Sequence, residues 1–102
     1  MHKIIHMTFE WDEAKNLDNI QKHHVSFERA QEAFFDKNRI IIKDKKHSKN
    51  EDRFFCIGND DHGIITVRFT LRNQNIRIIG AGYWREGRDK YEQKSNNVRR
   101  RT

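Results

Sequence analysis

The stretch from Ile64 to Gly82 constrains the fold more than any other part of the chain. Ile65, Val67, Phe69 and Leu71 alternate with Thr66, Arg68, Thr70 and Arg72, the two-residue period of a strand with one buried and one wet face. Arg72 to Asn75 form a polar loop, and Ile76 to Ala81 return as the second strand of a hairpin. Ile76 and Ile78 share one face, so Arg77 points the other way, toward the side that carries Arg68. Two arginines meet on one antiparallel ladder.

The chain has 102 residues, the size of one domain with a modest core. Hydrophobic residues make up 34% and charged residues 35%, lean for a globular protein but too rich in Ile and Phe for a disordered one. No apolar run is long enough to span a bilayer and the first residues lack the apolar core of a signal peptide, so a cytoplasmic location and no membrane partner are expected. The lone Cys56, within Phe54-Phe55-Cys56-Ile57, reads as a small core residue rather than a catalytic thiol. The net charge is +6, and residues 85–102 alone hold seven basic and three acidic side chains. That imbalance favours a polyanionic partner, either nucleic acid or an acidic protein segment.

In chain order, Lys3 to Trp11 alternate as a strand. Asp12 is placed as a helix N-cap, and Ala14, Leu17 and Ile20 form an apolar stripe on a helix that ends near Lys22. Ser26 caps a second helix whose stripe is Phe27, Ala30 and Phe34, with Val25 stapled onto Ala30. Ile40 to Lys43 and Arg53 to Gly58 are short strands around the polar loop Asp44 to Asp52. Arg85 to Lys94 read as a helix weakened by Gly87, and Ser95 to Thr102 as a basic, disordered tail following a single domain of residues 1–94. This order implies an α+β fold, an antiparallel sheet with two N-terminal helices on one face and a C-terminal helix. If Ile40 and Ile42 point to the N-terminal helices, then Arg39 and Lys43 join Arg68 and Arg77 on an open cationic face.

F-E-W-D-E-A-K-N (Phe9 to Asn16) and K-H-H-V-S-F-E-R-A (Lys22 to Ala30) are distinctive. With Phe35-Asp36, the loop holding His47, Glu51, Arg53 and Gly58, and the I-R-I-I-x-A run of Ile76 to Ala81, they resemble the BrnT family, type II toxins with a RelE-like fold. The resemblance implies a metal-independent ribonuclease that blocks translation. It also implies an antitoxin of ribbon-helix-helix type, and operator DNA met only through the toxin–antitoxin complex. Where the family usually reads K-H-G-V-S-F this chain has His24, and where it reads R-I-I-S-A-R the chain has Gly80 and Gly82. These glycines open an alternative reading, a weakened or inactive homologue that serves as an antitoxin- or nucleic-acid-binding module.

Cleavage of RNA by its own 2′-hydroxyl requires a base, cations for the charge that builds on phosphorus, and an acid. Arg77 and Arg53 are the candidate catalytic cations, and His47, Glu51 and Tyr91 the candidate proton carriers. Arg68, Arg39, Lys43, Arg85 and Arg88 are candidate RNA-binding residues. Each also has a plainer reading: His47 as a solvated loop residue, Glu51 as a partner of Arg53, Tyr91 as a packing residue. His2, His6, His23 and His24 lack cysteine partners and ligand spacing, so no metal and no cofactor are expected. Gly80-Ala81-Gly82 reads as a place where another backbone or a ligand comes close.

Overall fold

The computed structural model describes residues 7–101, with side chains described through residue 97. The expected strand residues Lys3 to His6, together with His2, lie outside the described residues. Strand β1 is Phe9–Glu10, helix α1 is Glu13–His23 and helix α2 is Phe27–Ala30, prolonged by a 3-10 turn Gln31–Phe35. Strands β2 (Ile40–Lys43), β3 (Arg53–Asn59), β4 (Ile64–Arg72) and β5 (Asn75–Gly82) follow, and helix α3 spans Arg85–Arg101. The sheet order is β1-β5-β4-β3-β2; β1 runs parallel to β5 and the other pairings are antiparallel. The parallel edge differs from a wholly antiparallel sheet because the chain passes through two helices and three strands before β1 finds its neighbour.

The hairpin turns on two residues, Asn73 (φ 52°) and Gln74 (φ 70°), whose left-handed backbones suit the twist of the flanking strands. In β5 the register opposes Arg68 with Gly80 but Phe69 with Ile78, so Ile79 is the extra residue of a bulge. The bulge inverts the alternation. Ile76, Ile78 and Ala81 face the core, while Arg77, Gly80 and Gly82 lie on the opposite face.

The core lies between the sheet and α1, α2 and the 3-10 turn. Phe27, Ala30, Ala33, Phe34, Cys56, Ile65, Val67, Phe69 and Ile78 are buried there. Phe34 meets Phe69 edge-on at 5.0 Å, and Phe54 stacks on Phe69 at 5.4 Å. Burial pushes the Cys56 thiol up to about 12, which leaves no nucleophile there.

Helix α1 starts at its expected cap, where the Asp12 carboxylate accepts from Ala14 N at 2.8 Å. Its expected stripe is not the buried one: Leu17 and Ile20 are exposed, and Asn16 and Asn19 are buried. The physical reason is hydrogen bonding. The amide of Asn19 donates to Ala81 O at 3.0 Å and accepts from Ala81 N at 3.2 Å, pairing the part of β5 that β1 is too short to reach. Asn16 accepts from Phe27 N at 2.8 Å at the start of α2. His24 holds the left-handed position after α1 (φ 60°), where the resembled family carries glycine.

The second face of the sheet is only partly open. Helix α3 crosses it over Thr66 and Ile57, and a Cβ on Gly87 would fall 1.9 Å from Thr66 Oγ1. The glycine that weakens this helix locally is what lets it approach the sheet. Strand pairing also sets Ile40 beside Ile57 and Ile42 beside Phe55, on the α3 side. Ile40 and Ile42 therefore point away from the N-terminal helices, and Lys43, opposite Phe54, points toward that layer, reversing the expected arrangement. Three consecutive isoleucines carry no alternation, so only the register with β3 decides. Helix α3 also runs on through Ser95 to Arg101, where the sequence reads as a disordered tail.

Candidate active site

Four residues form a row across four strands on the α3 side. Glu10 on β1 is beside Arg77 on β5, Arg77 is opposite Thr70 on β4, and Thr70 is opposite Arg53 on β3. One step along β4, Arg68 stands between Phe55 and the bare backbone of Gly80. Arg77 Nη1 donates to Glu10 Oε2 at 2.9 Å, and Thr70 Oγ1 donates to Asp52 O at 2.7 Å. Arg53 Nε is buried with no hydrogen-bond partner, whereas its Nη2 reaches Glu51 at 3.7 Å. Arg68 joins none of the ion pairs of this row.

At the Arg53 end, the loop after β2 closes over a cleft of about 510 Å³ lined by His47, Glu51, Arg53, Arg72, Lys46 and Lys49. The loop is tied down at several points. Asp44 N donates to Arg53 O at 2.7 Å, Ser48 Oγ donates to Asp44 O at 2.6 Å, and Arg53 N donates to Ser48 Oγ at 2.9 Å. His47 Nδ1 lies 2.8 Å from Oδ2 of the buried Asp44, which orients the ring and leaves Nε2 for the cleft. Glu51 spans Arg53 at 3.7 Å and Arg72 at 3.6 Å.

The expected site residues thus separate into groups. His47, Glu51 and Arg53 come together, with Arg77 and Arg68 on the adjoining face. Tyr91 does not join them: its hydroxyl donates to Asp36 Oδ2 at 2.6 Å, and that carboxylate also accepts from Asn59 N at 2.8 Å at the far end of β3. Arg53 and Asn59 are about 20 Å apart along an extended strand. Arg39 is at the Tyr91 end, donating to Asp36 O at 3.2 Å, and Lys43 pairs with Asp52 at 3.2 Å. Arg85 and Arg88 line another cleft, beside the turn between β3 and β4. Two contributors to the first cleft escaped the sequence reading: Arg72, which lines it, and Asp44, which is buried behind it and holds His47. Arg72 continues the Thr66, Arg68, Thr70 alternation, and Asp44 precedes His47 by three residues; both signals are present in the sequence.

Both tyrosines are poor proton carriers at neutral pH. Burial and the hydrogen bond to Asp36 push Tyr91 up to about 12, and burial and the bond to Asp60 do the same for Tyr83. Asp36 is held below the ordinary carboxylate value. Burial, the largest single influence, works against this, but the bonds from Tyr91, Asn59 N and Asn38 N and the charge of Arg39 together outweigh it. Because the chain has two tyrosines, an ultraviolet titration reads both. The native protein is expected to show no tyrosinate step near pH 10, and the urea-unfolded chain a full one. With native values raised, the associated stability is fully present below about pH 10 and is lost as pH rises toward 12.

A cationic sheet face that leads into a cleft with an oriented histidine, on a small α+β domain, suits a polyanion such as RNA. Residues 11–87 match the model of the ribonuclease toxin BrnT of type II toxin–antitoxin systems. The chain belongs to that family of toxins, whose partner is an antitoxin. The crystal structure of the Brucella abortus ribonuclease toxin BrnT shares the fold, with 24% identity, a TM-score of 0.62, and coverage of 78% of this chain and 97% of that one. No curated protein matches the sequence. Among the described residues no helix is long and apolar enough to cross a membrane, and no three His, Cys, Asp or Glu side chains cluster as a metal site.

Proposed function

We propose that this toxin works in the cytoplasm, cleaving RNA and thereby stopping translation, and that its chemistry takes place where the arginine row meets the His47 cleft. The observation that carries the reading is the adjacency of Arg53, in the row with Arg77, to a histidine already oriented by a buried carboxylate. When the arginines Arg53, Arg68 and Arg77 hold a phosphodiester, the 2′-hydroxyl of the ribose that bears the phosphate on its 3′-oxygen faces His47 Nε2. His47 takes the proton, the 2′-oxygen attacks phosphorus, and the bond to the 5′-oxygen breaks. That oxygen takes a proton from solvent in the open cleft, leaving a 2′,3′-cyclic phosphate. Glu51 is a positioning residue that spaces Arg53 and Arg72. The arginines stabilise the extra negative charge of the pentavalent state.

The cationic face equally suits an acidic segment of an antitoxin, of ribbon-helix-helix type, which would cover the face and carry the pair to operator DNA. Growth arrest on induction of the chain alone, relieved by the co-expressed antitoxin, is the expected result; unimpeded growth with soluble protein would refute the toxin reading. Glu10→Gln, which frees Arg77 from its ion pair, is expected to tighten RNA binding a few-fold at low salt and to lose that gain at high salt. Filter binding across a salt series measures this.

A further inference from the structure

Trp84 occupies an unusual place. A Cβ on Gly82 would lie 2.7 Å from Trp84 Cζ2 and 2.8 Å from Cε2, so the indole rests directly on glycine backbone. His23 braces its edge, the rings meeting at 5.2 Å, yet Trp84 stays 36% exposed. With His62, Tyr83, Arg85 and Arg88 it lines a cleft of about 310 Å³, at the lower end of small-ligand size. Between this cleft and Arg77, β5 offers the half-buried Ile79 and then Gly80, where an added Cβ would meet only Asn19 Oδ1 at 3.8 Å and Arg68 Cδ at 3.9 Å. Helix α3 leaves in the other direction, over Thr66 and Ile57 toward Asp36, and does not cover this stretch.

We infer that Trp84, set on Gly82 beside His62 and Arg88, is a stacking platform for an unpaired base of the RNA, a binding subsite joined to the cleavage site along β5, past Gly80 and Arg68. The inference rests on the ribonuclease reading above and adds a second point of contact to it. Arg77 and Gly82 are about 16 Å apart along the strand, a span that a few nucleotides of single strand cover. An exposed indole flanked by arginines is the chemistry that holds single-stranded nucleic acid: the ring takes a base and the guanidinium groups take phosphate. Gly82 is therefore a fitting for the indole rather than a simple loss of a side chain.

The test uses the full-length chain and a fluorescent 2′-O-methyl RNA octamer, which binds but cannot be cleaved, beside an abasic octamer of the same backbone. Trp84→Leu is expected to weaken the base-bearing octamer about ten-fold or more and to leave the abasic one unchanged, while Trp84→Phe retains most of the affinity. Arg88→Ala should weaken both oligomers and lower the salt dependence by about one phosphate contact. Equal weakening of both oligomers by Trp84→Leu, or no weakening of either, overturns the stacking subsite. Cleavage of unmodified RNA by the wild type, measured separately, distinguishes the two ideas. If the chain cleaves RNA but binds both octamers equally well, the subsite alone fails; if it neither binds nor cleaves RNA, the ribonuclease reading fails as well.

Discussion

His47→Ala is expected to slow RNA cleavage by roughly two to four orders of magnitude, the usual contribution of a positioned general base. Stability should hardly change. His47 is half exposed, and its side chain bonds only to Asp44, so its removal leaves no cavity and shifts the melting temperature by less than about 4 °C. Asp44→Asn tests the orientation directly: it preserves shape while disturbing which ring nitrogen carries the proton, and it should cost less activity than loss of the ring. Tyr91→Phe supplies the contrast, because Tyr91 is tied to Asp36 at the far end of β3. Its loss is expected to reduce stability by about 1 kcal/mol and leave cleavage intact. A His47→Ala rate close to wild type, with Tyr91→Phe inactive, would place the chemistry at the Asp36 end instead.

Gly58→Ala should produce the largest loss of stability. A Cβ there would lie 2.5 Å from the carbonyl oxygen of Ala33 and 3.0 Å from its Cα. Backbone cannot rotate away as a side chain does, so β3 and the 3-10 turn must separate, and the core between them opens. Overpacking of this kind costs about 3 kcal/mol, which for a domain of this size lowers the melting temperature by roughly 10–20 °C. Calorimetry of the variant provides the check. A change of a few degrees or less would mean that the turn yields, and that Phe34 is held by the sheet rather than by the backbone contact behind it.

Where residues alternate cleanly, the sequence reveals the fold. Ile65, Val67 and Phe69 mark the buried face of β4, although Leu71, expected beside them, is exposed at the end of the strand, and Arg68 falls on the side where the structure has it. The Asp12 and Ser26 caps are equally legible, because a capping side chain acts on amides two or three residues away. What stays hidden depends on partners distant in sequence. The exposure of Leu17 and Ile20 follows from Asn19 pairing with Ala81, sixty-two positions on, which no helical periodicity encodes. The β5 bulge is likewise silent until β4 is laid beside it, so the shared face of Arg77, Gly80 and Gly82 could not be read from alternation. Within the candidate site, His47, Glu51 and Arg53 are close in sequence and come together in space. Tyr91 depends on the course of α3, and the sequence gives no hint that α3 leads away from the cleft.

The parallel pairing of β1 with β5 has a consequence for synthesis. The row Glu10, Arg77, Thr70, Arg53 draws on residues as early as the tenth and as late as the seventy-seventh, so no shorter nascent segment can contain it. A ribosome makes 102 residues in about 5 to 20 s, and until Arg77 has emerged the N-terminal strand has nothing to dock on. The complete arginine row cannot assemble while that part of the chain is still inside the ribosome. Whatever the row binds is thereby out of its reach until β5 has been made and has taken its place beside β1.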